Sequence, residues 1–297
     1  MKPSKPLGQL TLFDRFLFAE AMESPGNLQI LLEIILGRDV HLKDCPQSEK
    51  EIRTTPLKRF VKLDVWSQDE EGVVYNTEAQ KENTGNLPRR SRYYQGMIDS
   101  KLLEPGEIDF RKLNQLYVIM ITPFDLFGAG KYQYTFQMKC EEVPGLNLED
   151  GVTRIFLNSR GTDPEGVSEE LIELLHYIEH TNEKTEESCK SARVKKLKRR
   201  IDSLKENAEV SVRYMQAWEE RVMEQNEARK EGREEGFKAG KRDGIAVGKD
   251  EKLWELVQKK LAKGKNIQQI ADEVEEDTAT VQRFIAEIEK GDRITAN

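Results

Sequence analysis

The sequence predicts an α/β domain, a mixed sheet flanked by helices, followed by a long helical C-terminal region. Three observations carry this. Val61, Leu63 and Val65 alternate with Lys62, Asp64 and Trp66, Asp69-Glu70-Glu71-Gly72 supplies turn chemistry, and residues 75–80 alternate again, the pattern of a β-hairpin. Leu116–Thr122 is a continuous apolar run, as expected of a central strand buried on both faces. From about Val167 the strand-like runs stop and the chain reads as almost wholly helical.

Taken in order, residues 10–22 and 27–36 read as helices separated by Pro25-Gly26. Residues 53–80 give the hairpin. Pro88 opens a helix carrying Arg89, Arg90, Arg92, Tyr93 and Tyr94. Residues 132–138 alternate like an antiparallel strand, and 154–157 are short and strand-like. Ser168, followed by Glu169 and Glu170, caps the first of the later helices.

The hairpin holds the chemistry, and it reads as one with carboxylates buried in its middle. A loop centred near Glu71 sets Asp64 almost opposite Glu78, where cross-strand Cβ atoms are roughly 4.5–5.5 Å apart. Two carboxylates that close repel unless a cation or a proton sits between them. Oxygen ligands at such spacing suit a hard divalent ion such as Mg²⁺. The plainer alternative is a solvated hairpin face with an ordinary surface Asp and Glu.

Several segments in order resemble the PD-(D/E)xK nuclease superfamily, in particular its recombination-promoting nuclease and transposase family. They are Leu10-Thr11-Leu12-Phe13-Asp14-Arg15-Phe16-Leu17-Phe18, Leu31-Leu32-Glu33-Ile34-Ile35-Leu36-Gly37, Val61-Lys62-Leu63-Asp64-Val65 and Tyr75-Asn76-Thr77-Glu78-Ala79-Gln80. Arg90-Ser91-Arg92-Tyr93-Tyr94-Gln95-Gly96-Met97-Ile98 and Tyr117-Val118-Ile119-Met120-Ile121 follow. The resemblance covers roughly the first half of the chain. It implies a restriction-endonuclease-like core, hydrolysis of DNA phosphodiesters, and Mg²⁺ or Mn²⁺ as cofactor, in a setting of recombination or transposition.

On that resemblance Asp64 and Glu78 bind the metal, with the Ala79 carbonyl as a third oxygen and Glu33 as an added acidic residue. The alternative for Glu33 is a polar position between two core turns. Gln80 stands where many superfamily members carry Lys. A lysine can stabilise charge developing on the phosphate, whereas a neutral amide can only hydrogen-bond. Lys62 and Lys81 are the neighbouring cations that could replace it.

Arg89, Arg90, Arg92 and Tyr94 form the candidate DNA contact, since arginine binds phosphate bidentately and tyrosine adds a hydrogen bond or stacking. The alternative is a solvated helix face whose tyrosines pack inward. The formal net charge of −7 argues against an indiscriminate polyanion binder, while leaving room for local basic patches. Cys45, Cys140 and Cys189 lie far apart without metal-ligand spacing and read as free thiols in a reducing compartment. No apolar signal segment opens the sequence and no run approaches a membrane span, so the expected location is cytoplasmic.

Four segments are expected: a nuclease-like domain over 1–165, a helical or coiled-coil region over 166–230, a glycine-punctuated helix or linker over 231–250, and a small helix-turn-helix-like unit over 251–297. His176 and His180, four apart on a helix, have metal-ligand spacing but no third ligand nearby. Gly232, Gly236, Gly240, Gly244 and Gly248 leave a bare side on a helix that suits close approach by another, and homo-oligomerisation through the C-terminal helices is expected. In the last unit Asp277 caps a helix from Thr278, but Glu273, Glu275 and Glu276 would repel phosphate. The favoured reading is a metal-dependent DNA endonuclease. Its rivals are a nuclease-fold protein that binds DNA or assembles without cutting it, and a helical-oligomer protein whose tail is the functional part.

Overall fold

The computed structural model describes residues 3, 5–52, 61–103, 105–181 and 189–290. Part of the expected 53–80 segment, residues 53–60, therefore lies outside the described residues, as does the end of the last unit after 290. The chain divides into two compact units, residues 1–218 and 219–297.

In the first unit a short 3-10 turn, Leu7–Gln9, precedes helices α1 (Arg15–Met22) and α2 (Pro25–Leu36). Strands β1 (Gln47–Ile52), β2 (Val61–Gln68) and β3 (Val74–Ala79) follow, then α3 (Leu87–Leu102), β4 (Leu116–Thr122), β5 (Gln133–Phe136) and β6 (Val152–Asn158). Helices α4 (Glu169–Glu179) and α5 (Ala192–Glu206) come next, and α6 (Ala208–Leu261) begins. The strands form one mixed sheet in the order β1-β2-β3-β4-β6-β5. β3, β4 and β6 are mutually parallel, while β1, β2 and β5 pair antiparallel to their neighbours. The α/β class read from the sequence is the class observed.

Two apolar layers hold the sheet. On one face Val65, Tyr75, Ile119, Ile121, Ile155 and Leu157 pack with α1, α2, α4 and α5. On the other, Val74, Val118, Met120 and Phe156 pack with Tyr94, Met97 and Ile98 of α3. β4 feeds both layers, which is why its sequence is apolar throughout. Phe18 of α1 is fully buried in the first layer. Its replacement by alanine is expected to cost about 3–5 kcal/mol in chemical denaturation.

Some boundaries differ from those expected, for local reasons. Residues 10–14 are not helical. Asp14, in extended backbone, is the N-cap of α1 and accepts from the Thr11 amide at 3.2 Å, while the Leu12 amide donates to Thr181 Oγ1 at 3.0 Å. Pro25 does not lie outside a helix but opens α2 at its first turn, where its missing N–H costs nothing. Gly37 closes α2 at φ 65°, a left-handed conformation that glycine adopts without strain. The strand β1 was not foreseen. Its Gln-Ser-Glu-Lys-Glu-Ile sequence is polar because it lies at the sheet edge.

The second unit contains the rest of α6 together with α7 (Ile267–Val274) and α8 (Thr278–Lys290). Val257, Ile270, Ala271, Val281, Phe284 and Ile285 form its core. Asn266 and Gln269 make a reciprocal capping box on α7. Asp277 Oδ1 accepts from the Thr280 amide at 2.8 Å, the expected cap of α8. Glu275 adopts φ 58° in the turn where a glycine is usual. The repeated glycines lie within α6, which is helical throughout, and nothing lies within 4 Å of a Cβ built on any of them.

Candidate active site

Three acidic residues fall in a row across β1, β2 and β3. Ser48 pairs with Val65 and Lys50 with Leu63, so Glu49 lies across from Asp64. Val65 pairs with Thr77, so one step further Asp64 lies across from Glu78. At that step side chains take over from the backbone ladder. The Asp64 amide donates to Glu78 Oε1 at 3.1 Å, and the Ala79 amide donates to Asp64 Oδ2 at 3.2 Å. The alternation of β2 also slips here: Leu63 joins the layer under α3 and Val65 the opposite layer. The regular period expected along 61–65 thus breaks at Asp64.

The pair is buried, which sets aside the solvated-face alternative. Asp64 is 8% exposed and Glu78 is fully buried. β3 is buried along its whole length because it lies between β2 and β4 with a helical layer on each side. Burial disfavours both charges. It raises the Asp64 carboxyl above its usual range, against the pull of Arg15, the Ala79 amide and Arg90, and Glu49 adds to the rise. Burial, then the Asp64 charge, pushes Glu78 up to about 8 despite Arg90 and the Asp64 amide. Asn76, fully buried alongside, also favours the charged form of Glu78.

Two arginines serve the pair. Arg15 Nε lies 3.0 Å from Glu49 Oε1 and 3.6 Å from Asp64 Oδ1. Arg90 Nη2 lies 3.0 Å from Glu78 Oε2, its Nη1 donates to Gln80 Oε1 at 2.7 Å, and its Nε donates to Tyr94 Oη at 2.7 Å. Burial works against the Arg90 charge, but Tyr94 and Glu78 outweigh it and hold the guanidinium above its ordinary value. Gln80 also donates Nε2 to the Glu82 carbonyl at 2.9 Å.

The other expected residues are placed as follows. Arg89, Arg92 and Tyr93 are exposed on α3, whereas Arg90 and Tyr94 turn inward to the carboxylates. Glu33 is engaged elsewhere: it accepts from Gln29 Nε2 at 2.8 Å and lies 3.6 Å from Arg193 Nη1. Lys62 pairs with Glu49 at 2.6 Å, and Lys81 is exposed. The His176 and His180 rings lie 4.5 Å apart. Among the described residues no group of three or more His, Cys, Asp and Glu side chains could hold a metal ion. Sequence reading missed the site roles of Arg15 and Glu49. Arg15 stood in the quoted opening segment as a helix residue only, and Glu49 lies in the unforeseen β1.

The donor set still fits a hard divalent cation. Mg²⁺ is commonly held by one or two carboxylates, with water and substrate phosphate completing the shell. Asp64 and Glu78 are two such carboxylates, both destabilised by burial and by each other. The Ala79 backbone is fixed against them by its bond to Asp64.

Among the described residues no helix is long and apolar enough to cross a membrane. No curated protein and no solved structure matches the chain. A family model described as PD-(D/E)XK nuclease family transposase matches residues 13–233, a span holding the sheet, both carboxylates and both arginines. The chain belongs to the PD-(D/E)XK nuclease family transposases, a family of nuclease and transposase type.

Proposed function

We propose that this protein is a Mg²⁺- or Mn²⁺-dependent DNA endonuclease acting in recombination or transposition. The buried Asp64–Glu78 pair carries the reading, because such a pair is costly to bury and suits a divalent cation. A bound ion would supply Lewis acidity and a lowered pKa for water. Asp64 and Glu78 would hold it, with the Ala79 carbonyl as a further oxygen. Arg89 and Arg92, exposed on α3, would grip the flanking phosphates. Gln80, beside the carboxylates, would orient the water or the phosphate.

The reaction is hydrolysis. The water oxygen bonds to phosphorus as one P–O ester bond breaks. One water proton ends on the departing hydroxyl, and the other goes to the new phosphate monoester or to solvent. The same reading includes self-association through α6, where Met223, Phe237 and Ile245 are exposed and the glycine side is open.

The test is nicking of supercoiled plasmid with Mg²⁺ or Mn²⁺, wild type beside Asp64→Ala and Glu78→Ala. Metal-dependent nicking that both variants lose supports the reading. Intact plasmid with the wild type and either metal leaves DNA binding or assembly by the same scaffold as the function.

A further inference from the structure

We infer that Arg90 is the cation that meets the scissile phosphodiester, and that Gln80 and Tyr94 are positioning residues that aim it. This rests on the endonuclease reading above. Of the neighbouring lysines, Lys62 is paired with Glu49 and Lys81 is exposed. Arg90 instead reaches the site from α3 and touches Glu78 directly.

The geometry is that of a held guanidinium. Three of its five N–H donors are engaged, and each goes to a different residue. Tyr94 fixes Nε and Gln80 fixes Nη1, both at 2.7 Å. Tyr94 is itself buried, and its hydroxyl pKa is pushed up to about 12 by burial and then by Glu78, so it stays neutral. Only Nη2 is committed to a carboxylate, Glu78. If Glu78 held a cation, Nη2 would lose its carboxylate partner while Nε and Nη1 kept theirs. The guanidinium then offers its Nη2 N–H groups to an anion beside the carboxylates, and the Arg90 side chain is 28% exposed, enough for a substrate oxygen to reach it.

Gln80 thereby acquires a role suited to an amide. Its carbonyl oxygen accepts from Arg90, and its own NH₂ is anchored on the Glu82 carbonyl. A lysine there would repel Arg90. The amide and the arginine thus form one device: position 80 orients the charge, and position 90 supplies it.

The experiment measures plasmid nicking at saturating DNA, and DNA affinity by fluorescence anisotropy of a labelled duplex in Ca²⁺. The variants are Arg90→Gln, Arg90→Lys, Gln80→Ala, Tyr94→Phe and the double change Arg90→Gln with Gln80→Lys. Arg90→Gln is expected to lower the maximal rate by roughly 10²-fold, as for removal of one transition-state donor, while affinity in Ca²⁺ changes little. Arg90→Lys keeps the charge but loses the fork, so it should be slow yet folded by circular dichroism. Gln80→Ala and Tyr94→Phe should lose a smaller factor in rate with affinity unchanged. The double variant should recover rate over Arg90→Gln alone, which a merely structural role would not produce. A nicking wild type whose Arg90→Gln variant keeps its rate overturns this inference alone, as does a loss that appears wholly in affinity. A wild type that does not nick overturns the endonuclease reading, and this inference with it.

Discussion

Asp64→Ala is expected to abolish metal-dependent nicking, with a loss of at least about 10²–10³-fold, the range seen when one preorganised electrostatic group is removed. The argument is geometric. Asp64 is a proposed metal ligand, and it also accepts from the Ala79 amide, so one oxygen holds β3 in place while the other faces Arg15. Alanine removes both functions and leaves the Ala79 amide and Arg15 without that acceptor. Asp64→Asn separates the two effects. It keeps an oxygen that can accept from Ala79 but carries no charge, so it should fold like the wild type and still fail to nick. Gel quantification of nicked circles against time, with a thermal melt of each variant, reads both quantities.

Glu78→Gln is expected to make the metal-free protein more stable at alkaline pH while abolishing cleavage. The folded-state pKa of Glu78 is raised from 4.5 to about 8. A carboxyl raised in this way favours the folded state when protonated. Its contribution is fully present below about pH 4.5 and is lost as pH rises through about 8. The metal-free wild type should therefore lose stability between those values, and Glu78→Gln should flatten that loss. The difference in Tm at pH 9 is expected to be on the order of 10 °C. On the endonuclease reading protons and a divalent ion compete for the same oxygens, so Mg²⁺ should raise the wild-type Tm more at pH 9 than at pH 6 and leave Glu78→Gln unmoved. A wild-type Tm that rises across this range would contradict the burial argument. On the endonuclease reading, function is maintained here against stability, as is common where a site must present buried charge.

The hairpin was legible because its information is local. The turn residues around Glu71 fix the register, and the observed pairing of Val65 with Thr77 is the one that such a turn implies, even though the alternation of β2 slips at Asp64. The apolar run of β4 was legible for the same reason. That the carboxylates are buried was part of the hairpin reading; what enforces the burial was not legible, since only β4 and α3 closing over β3 leave Asn76 and Glu78 dry, with Gln80 half-buried beyond the strand. Arg15 and Glu49 were invisible as a pair because they are far apart in the chain and meet only when α1 lies against the polar edge strand. Arg90 was visible as a basic residue, but its turn inward depends on helical phase relative to the sheet, which sets Arg90 and Tyr94 against the carboxylates and leaves Arg89 and Arg92 outside.

The charges around the three strands alternate: Lys62 on Glu49, Arg15 between Glu49 and Asp64, and Arg90 on Glu78. Three cations thus face three carboxylates, and the cluster is electrically balanced once all three are ionised. A divalent ion arriving alone adds two positive charges to a neutral cluster and must displace guanidinium contacts. Arriving with a phosphodiester, it brings an anion that those guanidiniums can take in exchange. On the endonuclease reading, metal and DNA therefore bind as thermodynamic partners, each tightening the other by the same factor. Calorimetric titration of Mg²⁺ with and without a short duplex should show that factor directly. On that reading the protein would hold its cutting ion poorly until a strand is in place, and the arming of the enzyme would be left to its substrate.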